Sequence, residues 1–255
     1  MKKLIITCVC AMAAMQSHAQ STSGKISYKE TIQFKIDLKG AEVQGISADQ
    51  LAALIPKENV SNKILYYNDG AALYDNDKKA ENTDATKESN GMHIMMKMDG
   101  NDTRVYQDLK AGKTITEQNF MSRKFLITND VKKEAWKLTG KQKEILGYPC
   151  QQATMQQDST TITAWFTPAI PVSAGPMGYG GLPGMILSLG DGDHYEIVAT
   201  KIEAGDIDAK LLAKPKDGKK VTEAEFKKIM TDKMKEMGVE EGGAPHITIK
   251  TQIGN

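Results

Sequence analysis

The sequence predicts a mainly β protein, built as a large curved antiparallel sheet or an open half-barrel with one or two helices packed on it. Apolar and polar residues alternate over one long segment near the N-terminus. Many short apolar segments follow at near-regular spacing, with glycine, asparagine and aspartate between them. An amphipathic stretch near the C-terminus predicts the main helix.

The first nineteen residues have the form of a secretory signal peptide. Lys2 and Lys3 precede an apolar run from Leu4 to Met15, and Ser17-His18-Ala19 supplies the small residues that a signal peptidase needs. The apolar run is too short to cross a bilayer as a helix. We therefore expect residues 1–19 to be removed by cleavage before Gln20.

Composition limits the compartment and the partners. The chain has 33 basic and 32 acidic residues with both signs interspersed, so it offers no basic stripe for nucleic acid. We expect one β-rich domain over residues 20–255, in the periplasm or secreted, soluble after cleavage and without a transmembrane segment. Only Cys150 of the three cysteines would remain, so the core must hold the fold without an intrachain disulfide.

The N-terminal part of this domain predicts a strand, a hairpin and a loop. Apart from Glu30, apolar residues occupy the even positions from Ile26 to Leu38, as in a half-buried strand, and a short helical run follows at 47–54. Asn68-Asp69-Gly70 separates two apolar runs and fits a tight hairpin turn. The polar stretch 75–90 has almost no apolar residue, so we expect a mobile loop there.

The remaining chain predicts an antiparallel meander and then a helix. Thr222 to Glu225 has the form of a capping box and opens an amphipathic helix over 222–237. The tail at 244–255 is either an edge strand or a disordered end. The predicted short strands are 92–98, 103–108, 114–118, 124–127, 136–138, 143–146, 151–156, 160–166, 185–189 and 195–203.

The most unusual segment is 174–187, in which glycines and prolines lead into an apolar strand. Glycine permits positive φ and proline fixes φ, so such a run specifies one defined loop. It lacks the lysine of a phosphate-binding loop and does not precede a helix, which argues against a nucleotide site. The loop is either a rigid turn feeding a buried strand or a rim that contacts a ligand or partner. On the second interpretation the site residues are Gly175, Pro176, Tyr179, Gly181, Leu182, Pro183 and Gly184.

This region resembles a known family. Residues 181–186 read Gly-Leu-Pro-Gly-Met-Ile, which is similar to the signature of the GLPGLI family of exported Bacteroidetes proteins, with Met185 in place of leucine. Supporting segments at 147–153, 164–167, 170–171 and 175–176 have the order and spacing of that family. The resemblance implies an exported envelope protein with no established activity. At the level of fold alone, the pattern also resembles the half-barrels of periplasmic lipoprotein carriers.

We therefore expect a non-enzymatic binding or interaction protein, with an apolar small molecule, a lipid or an envelope protein as its partner and with no cofactor. The 14 methionines favour this, because flexible thioether side chains suit ligands of variable shape. The concave side of the sheet would hold either the ligand or the amphipathic helix. Its expected lining residues are Phe34, Ile36, Met96, Met98 and Ile186.

Two hypotheses from other functional classes stay open. Met92, His93 and Met95, with His194 as a further ligand, offer thioether and imidazole groups suited to copper(I), although strand alternation puts Met92 on the opposite face from the other two. An enzyme would use Cys150 as nucleophile with a histidine as base. No acidic partner for that histidine can be assigned from the sequence, and the chain contains neither a Gly-x-Ser-x-Gly nor a His-Glu-x-x-His motif.

Overall fold

The computed structural model describes residues 22–33, 57–78, 85–89, 92–96, 103–130 and 135–236, with backbone alone at 85–89 and 92–96. The predicted signal peptide at 1–19, the helical run at 47–54 and the tail at 244–255 lie outside the described residues. Within the described part, no helix is long and apolar enough to cross a membrane.

The described residues form strands, one α-helix and two short 3₁₀ helices. The strands are β1 (Gly24–Gln33), β2 (Glu58–Tyr67), β3 (Ala71–Asn76), β4 (Ala85–Ser89), β5 (Met92–Met96), β6 (Arg104–Asp108), β7 (Lys113–Phe120), β8 (Arg123–Asp130), β9 (Lys137–Ile145), β10 (Tyr148–Gln157), β11 (Thr160–Thr167), β12 (Met185–Gly190), β13 (Tyr195–Ala204) and β14 (Lys219–Val221). The helix α1 spans Glu223–Glu236, and the 3₁₀ helices span Pro176–Gly178 and Ala209–Leu212.

Twelve strands form one open sheet in the order β14-β8-β7-β6-β3-β2-β1-β13-β12-β11-β10-β9, and β4 pairs with β5 separately. The predicted fold class is therefore confirmed: the protein is mainly β, and its large sheet is not closed into a barrel. One detail differs from the prediction, since β14 pairs with β8 in parallel and makes the sheet mixed.

Strand β1 lies at the centre of the sheet and joins its two halves. Gly24 on β1 is paired with Tyr67 on β2 and with Ala204 on β13. One half runs from β2 to β8 and the other from β13 to β9, each mostly as a meander of antiparallel neighbours. The alternating segment that predicted the first strand thus forms the strand at which the two halves meet.

The main core covers one face of this sheet. Tyr28, Phe166, Met185 and Ile186 are all fully buried within it, and the Tyr28 hydroxyl donates a 2.6 Å hydrogen bond to the carbonyl oxygen of Ile186. Ile186, one of the predicted lining residues of the concave side, is therefore a core residue. The side chains of the other four predicted lining residues lie outside the described part.

A buried polar cluster continues the core-facing side of β1 and β2. Glu30 accepts hydrogen bonds from the Ser61 hydroxyl at 3.2 Å and from the Tyr74 hydroxyl at 3.1 Å. The Lys63 ammonium lies 3.9 Å from the Glu30 carboxylate, and both side chains are less than a tenth exposed. Burial, followed by the Glu30 charge, raises the pKa of Tyr74 well above its ordinary value.

Helix α1 begins at the predicted capping box and packs against β8, beside the edge strand β14. The Thr222 hydroxyl accepts a hydrogen bond from the Glu225 N–H, and the Glu225 carboxylate accepts one from the Thr222 N–H. Phe226 is buried against Phe125 and Phe120, with ring centroids 5.2 and 6.1 Å apart. This second core cluster anchors the helix.

Two segments differ from the sequence-based expectation. The stretch 75–90, expected to be a mobile loop, includes the end of β3 and all of β4, because a polar segment can still form backbone hydrogen bonds with a neighbouring strand such as β5. The strands predicted at 136–138 and 143–146 are one strand, β9, with an irregular register opposite Gln151 to Ala153. Nearly all of β9 is exposed, and its three lysines suit the edge of an open sheet.

Candidate functional site

The glycine-proline loop, residues 174–184, has a packed base. Gly184 has φ +149°, and a Cβ atom there would lie 2.1 Å from the carbonyl oxygen of Thr167. A Cβ atom on Gly175 would lie 2.7 Å from the Cβ of Ile186, and Leu182 is 3% exposed. At the base of the loop, therefore, these glycines are needed because a side chain would clash with neighbouring atoms. The loop leads directly into the buried strand β12.

The tip of the loop faces outward. Met177 has φ +56° in the left-handed region, unusual for a residue with a side chain, and is 49% exposed. The Gln107 side-chain amide on β6 donates a 2.7 Å hydrogen bond to the carbonyl oxygen of Gly178. A side chain from another part of the sheet thus fixes the tip in an exposed conformation.

Trp136 and Tyr179 meet at this tip. The indole N–H of Trp136 donates a 2.9 Å hydrogen bond to the carbonyl oxygen of Gly180. The two rings are tilted by 59° with centroids 6.4 Å apart. On the far side of the tip, the Gly181 N–H donates to the Ser173 hydroxyl at 2.9 Å. The aromatic ring of Tyr179 is therefore positioned by its neighbours.

The Tyr179 hydroxyl is also fixed. It donates a 3.0 Å hydrogen bond to the Gln157 side-chain oxygen and is hydrogen-bonded to the Tyr195 hydroxyl. Burial and this bond raise the pKa of Tyr195. The Tyr195 N–H in turn donates to Asp191, whose other oxygen contacts the His194 ring at 2.7 Å. Although burial alone would raise the pKa of Asp191, hydrogen bonds from the backbone N–H groups and from His194 hold that pKa well below its usual range.

A groove of about 350 Å³ lies beside the loop tip. Its walls combine hydroxyl, amide and carboxylate groups with one aromatic ring and two thioethers. Asp130 forms an ion pair with Lys113 on the next strand, and the Asn129 amide donates to Glu223 at 3.3 Å. Such walls can hydrogen-bond several hydroxyl groups of one ligand. The lining residues are Thr114, Thr116, Asn129, Asp130, Met155, Gln156, Gln157, Met177, Gly178, Tyr179, Gly180 and Glu223.

The seven residues predicted for the loop site separate into four groups. Tyr179 lines the groove, whereas Gly181 lines a different cavity with Ser173. Pro183 is exposed. The other four are buried at the base or start of the loop, and they are Gly175, Pro176, Leu182 and Gly184. Sequence reasoning missed Gln157, Asn129 and Trp136, which carry no local motif, and it used Glu223 only as part of the capping box. All four reach the site only through the fold.

The copper hypothesis rests on residues whose side chains lie outside the described part. Met92, His93 and Met95 belong to β5, where His93 is paired in register with Glu88 on β4. Among the described residues, no group of three or more histidine, cysteine, aspartate or glutamate side chains could hold a metal ion. Copper binding by these residues stays a prediction.

The Cys150 thiol is in a different environment from a reactive nucleophile. It is 1% exposed, donates to the Tyr148 carbonyl oxygen at 3.4 Å, and has its pKa raised by burial to about 11. The described residues that line the adjacent cavity include no histidine. The acidic partner of His194, which the sequence could not identify, is Asp191.

Comparison with known proteins identifies relatives of this fold. The model of the family described as "N-glycanase peptide, N-terminal domain" matches residues 56–228. Two solved structures of PNGF-II, in the P21 and C2 space groups, match with a TM-score of 0.52 and 18% identity and cover 82% of this chain. This chain spans about a third of their length, 33% and 32% respectively. No curated protein matches it.

The resemblance to the GLPGLI family was therefore wrong, because the matching family model and the matching solved structures point to a different family. The same matches replace the proposed likeness to lipoprotein-carrier half-barrels. The hexapeptide at 181–186 indicated the wrong family for a physical reason. Gly184 is required by its positive φ and by the close approach of Thr167, and unrelated families can share such a backbone requirement.

Proposed function

We propose, on the premise that this chain belongs to the family of the N-glycanase peptide N-terminal domain, that it is a carbohydrate-binding domain. Its ligand is the glycan of a glycoprotein or glycopeptide, bound in the groove beside the glycine-proline loop. The observation that carries this proposal is the fixed Tyr179 ring in a wall that consists mostly of hydroxyl, amide and carboxylate groups.

The chemistry of the groove fits a sugar. One face of a pyranose ring presents C–H groups, which pack on the face of an aromatic ring, while its hydroxyls both donate and accept hydrogen bonds. Asn129 and Gln156 supply amide groups, and Asp130 and Glu223 supply acceptors. An aromatic ring and several polar side chains in one groove thus match both the C–H face and the hydroxyl groups of the ligand.

Preorganisation supports the same conclusion. Tyr179 is held by Gln157 and Tyr195 at its hydroxyl and by Trp136 at its ring. A side chain that is already fixed loses little conformational entropy when a ligand packs on it. The left-handed conformation of Met177 at the rim is the kind of backbone strain that clusters at binding sites.

A glycan ligand is favoured over the apolar ligand expected from the sequence. The core-facing side of the sheet is filled by the protein's own side chains, among them Tyr28 and Phe166, whereas the groove wall is largely polar. A binding role also agrees with the protonated, buried state of Cys150. Export to the periplasm or beyond remains our expectation from residues 1–19.

Calorimetric titration with a glycopeptide that carries a neutral N-linked glycan tests the proposal, with the deglycosylated peptide as the ligand control. We expect saturable binding that Tyr179→Ala weakens at least tenfold, because the aromatic wall is lost. Tyr106→Ala is the matched protein control, since Tyr106 is also half-buried but does not line the groove. The proposal fails if the wild-type chain binds no glycopeptide, or if Tyr179→Ala binds as tightly as wild type.

A further inference from the structure

We infer that the chain has a second, weaker carbohydrate site at Trp165, on the face of the sheet opposite the main core. Its ligand is a sugar residue that packs on the Trp165 ring and bonds to the hydroxyl groups beside it. The inference goes beyond the proposed function, because the described residues that line this site and those that line the groove at Tyr179 have no member in common.

Strand alternation places Trp165 on the outer face of the sheet. Ala164 and Phe166, on either side of it in β11, are fully buried in the main core, whereas Trp165 is half-buried. Its partner in register on β12 is Ser188, whose side chain therefore projects to the same face. Both residues line a cavity of about 370 Å³, which lies between these strands, the end of β1 and the turn at 190–194.

Ser188 brings a buried hydroxyl to this cavity. The residue is 5% exposed, and its hydroxyl forms no hydrogen bond with another residue of the described part of the chain. A comparable buried hydroxyl, that of Ser61, donates to the Glu30 carboxylate at 3.2 Å. Buried hydroxyls without a partner are costly and uncommon. The Ser188 hydroxyl is therefore suited to bond a ligand in the cavity.

The rest of the cavity also fits a sugar. Thr31 and Thr163 add two hydroxyls to its walls, and such groups both donate and accept hydrogen bonds, as sugar hydroxyls do. Gly190, the partner of Thr163 in register, contributes no side chain to the space. A Cβ atom on Gly190 would lie 2.6 Å from the carbonyl oxygen of Tyr195, so the backbone geometry itself requires glycine there. The space beside the indole is thus kept open.

The turn that forms one wall is fixed before a ligand arrives. One carboxylate oxygen of Asp191 accepts hydrogen bonds from three consecutive N–H groups, those of residues 193–195, at 3.0, 2.7 and 3.1 Å. Its other oxygen contacts the His194 ring at 2.7 Å. A wall that is already ordered loses little conformational entropy when a ligand binds.

Lys143 lies over the Trp165 ring, with its ammonium 4.4 Å from the ring centroid. Lys143 is exposed on the edge strand β9, and a cation held over an aromatic ring at an exposed site is bound only weakly. The C–H face of a pyranose ring packs on the same aromatic surface. A bound sugar therefore displaces the ammonium, which makes this site weaker than the groove.

The two tryptophans of the chain allow the two sites to be measured separately. In Trp136→Phe, selectively excited tryptophan emission comes only from Trp165. We expect the neutral N-linked glycopeptide to change this emission saturably, and to do so equally when Tyr179→Ala is added to remove the groove wall. In Trp165→Phe the emission comes only from Trp136, which reports on the groove instead.

Three variants test the contacts at the second site in the Trp136→Phe background. Ser188→Ala should weaken the binding reported by Trp165 about fivefold and leave the free energy of unfolding unchanged, because the hydroxyl has no protein partner to lose. Ser61→Ala is the matched control, and it should lower stability without altering this binding. Lys143→Ala should tighten the binding about threefold, because it uncovers the ring.

The possible failures are distinguishable. If Trp165 emission does not change while calorimetry detects binding in the groove, the second site is overturned and the proposed function stands. If Tyr179→Ala abolishes the Trp165 response, that response comes from the groove, and the second site is again overturned. If Ser188→Ala lowers stability but not binding, the hydroxyl is structural and the inference fails. If Trp165 responds but Tyr179→Ala leaves calorimetric binding intact, the proposed function fails and the second site stands.

Discussion

The indole N–H of Trp136 donates a hydrogen bond to the carbonyl oxygen of Gly180, 2.9 Å away, just before the edge strand β9 begins. The neighbouring carbonyl oxygen of Gly178 accepts from Gln107 on β6. β9 and β6 belong to opposite halves of the open sheet. The tip of the glycine-proline loop is thus held from both halves, and the groove wall depends on contacts that are distant in sequence.

Trp136→Phe should weaken glycan binding about threefold to tenfold, because it removes the bond to Gly180 and loosens the Tyr179 ring. The loss of one half-buried hydrogen bond should cost only about 1 kcal/mol of unfolding free energy. Trp165→Phe is the matched control, since Trp165 lies beneath Lys143, 4.4 Å from its ammonium, and away from the loop. Calorimetry and urea unfolding measure the two effects. Equal binding losses in both variants would contradict the positioning role of Trp136.

Gly184→Ala should destabilise the protein by about 3 kcal/mol or more, because its Cβ would meet a backbone oxygen in a strained φ region. Gly192→Ala provides the comparison. Gly192 also has positive φ, +81°, but its Cβ would contact nothing within 4 Å, so strain alone should cost about 1 kcal/mol. Urea unfolding gives both values. Similar costs at the two sites would show that the contact with Thr167 is relieved without penalty.

Local features of the sequence predicted the structure well where neighbouring residues determine it. The Thr222 to Glu225 capping box forms, and the Asn68 side chain accepts hydrogen bonds from the N–H groups of Gly70 and Ala71 at the predicted hairpin. In each case the donor and acceptor lie within a few residues of one another, so the pattern itself contains the interaction.

The candidate site was predictable only in part. Tyr179 was identified because it lies in an unusual loop, but its partners Gln157 and Tyr195 come from other turns of the sheet. The position of β1 between β2 and β13 is also non-local, and the alternating pattern of Gly24–Gln33 does not encode it. The same limit explains why β4 was not predicted, because its segment is polar and forms a strand by pairing with β5.

Tyr74→Phe should reduce the free energy of unfolding by about 1 to 3 kcal/mol, because it removes a donor to the buried Glu30 carboxylate. The ring itself remains packed edge-on against Tyr28, with centroids 6.1 Å apart. Tyr106→Phe is the control, because that residue is half-buried, and it should change stability by less than about 0.5 kcal/mol. Chemical denaturation at neutral pH measures both. A Tyr74 variant as stable as wild type would mean that another group replaces the lost donor.

The buried thiol of Cys150 should make stability depend on alkaline pH. Burial raises its pKa from 9.0 to about 11, so between these values the unfolded chain releases a proton that the folded chain retains. Its contribution to stability is therefore complete below pH 9 and falls as pH rises towards 11. Cys150→Ala should remove this part of the pH slope, and comparing it with wild type cancels the contribution of the tyrosines. In the native protein at pH about 8, iodoacetamide should react far more slowly than in urea, because little thiolate is present and the sulfur is buried. Equal alkylation rates in the folded and unfolded states, or an unchanged pH slope in Cys150→Ala, would contradict the buried, protonated state of this thiol.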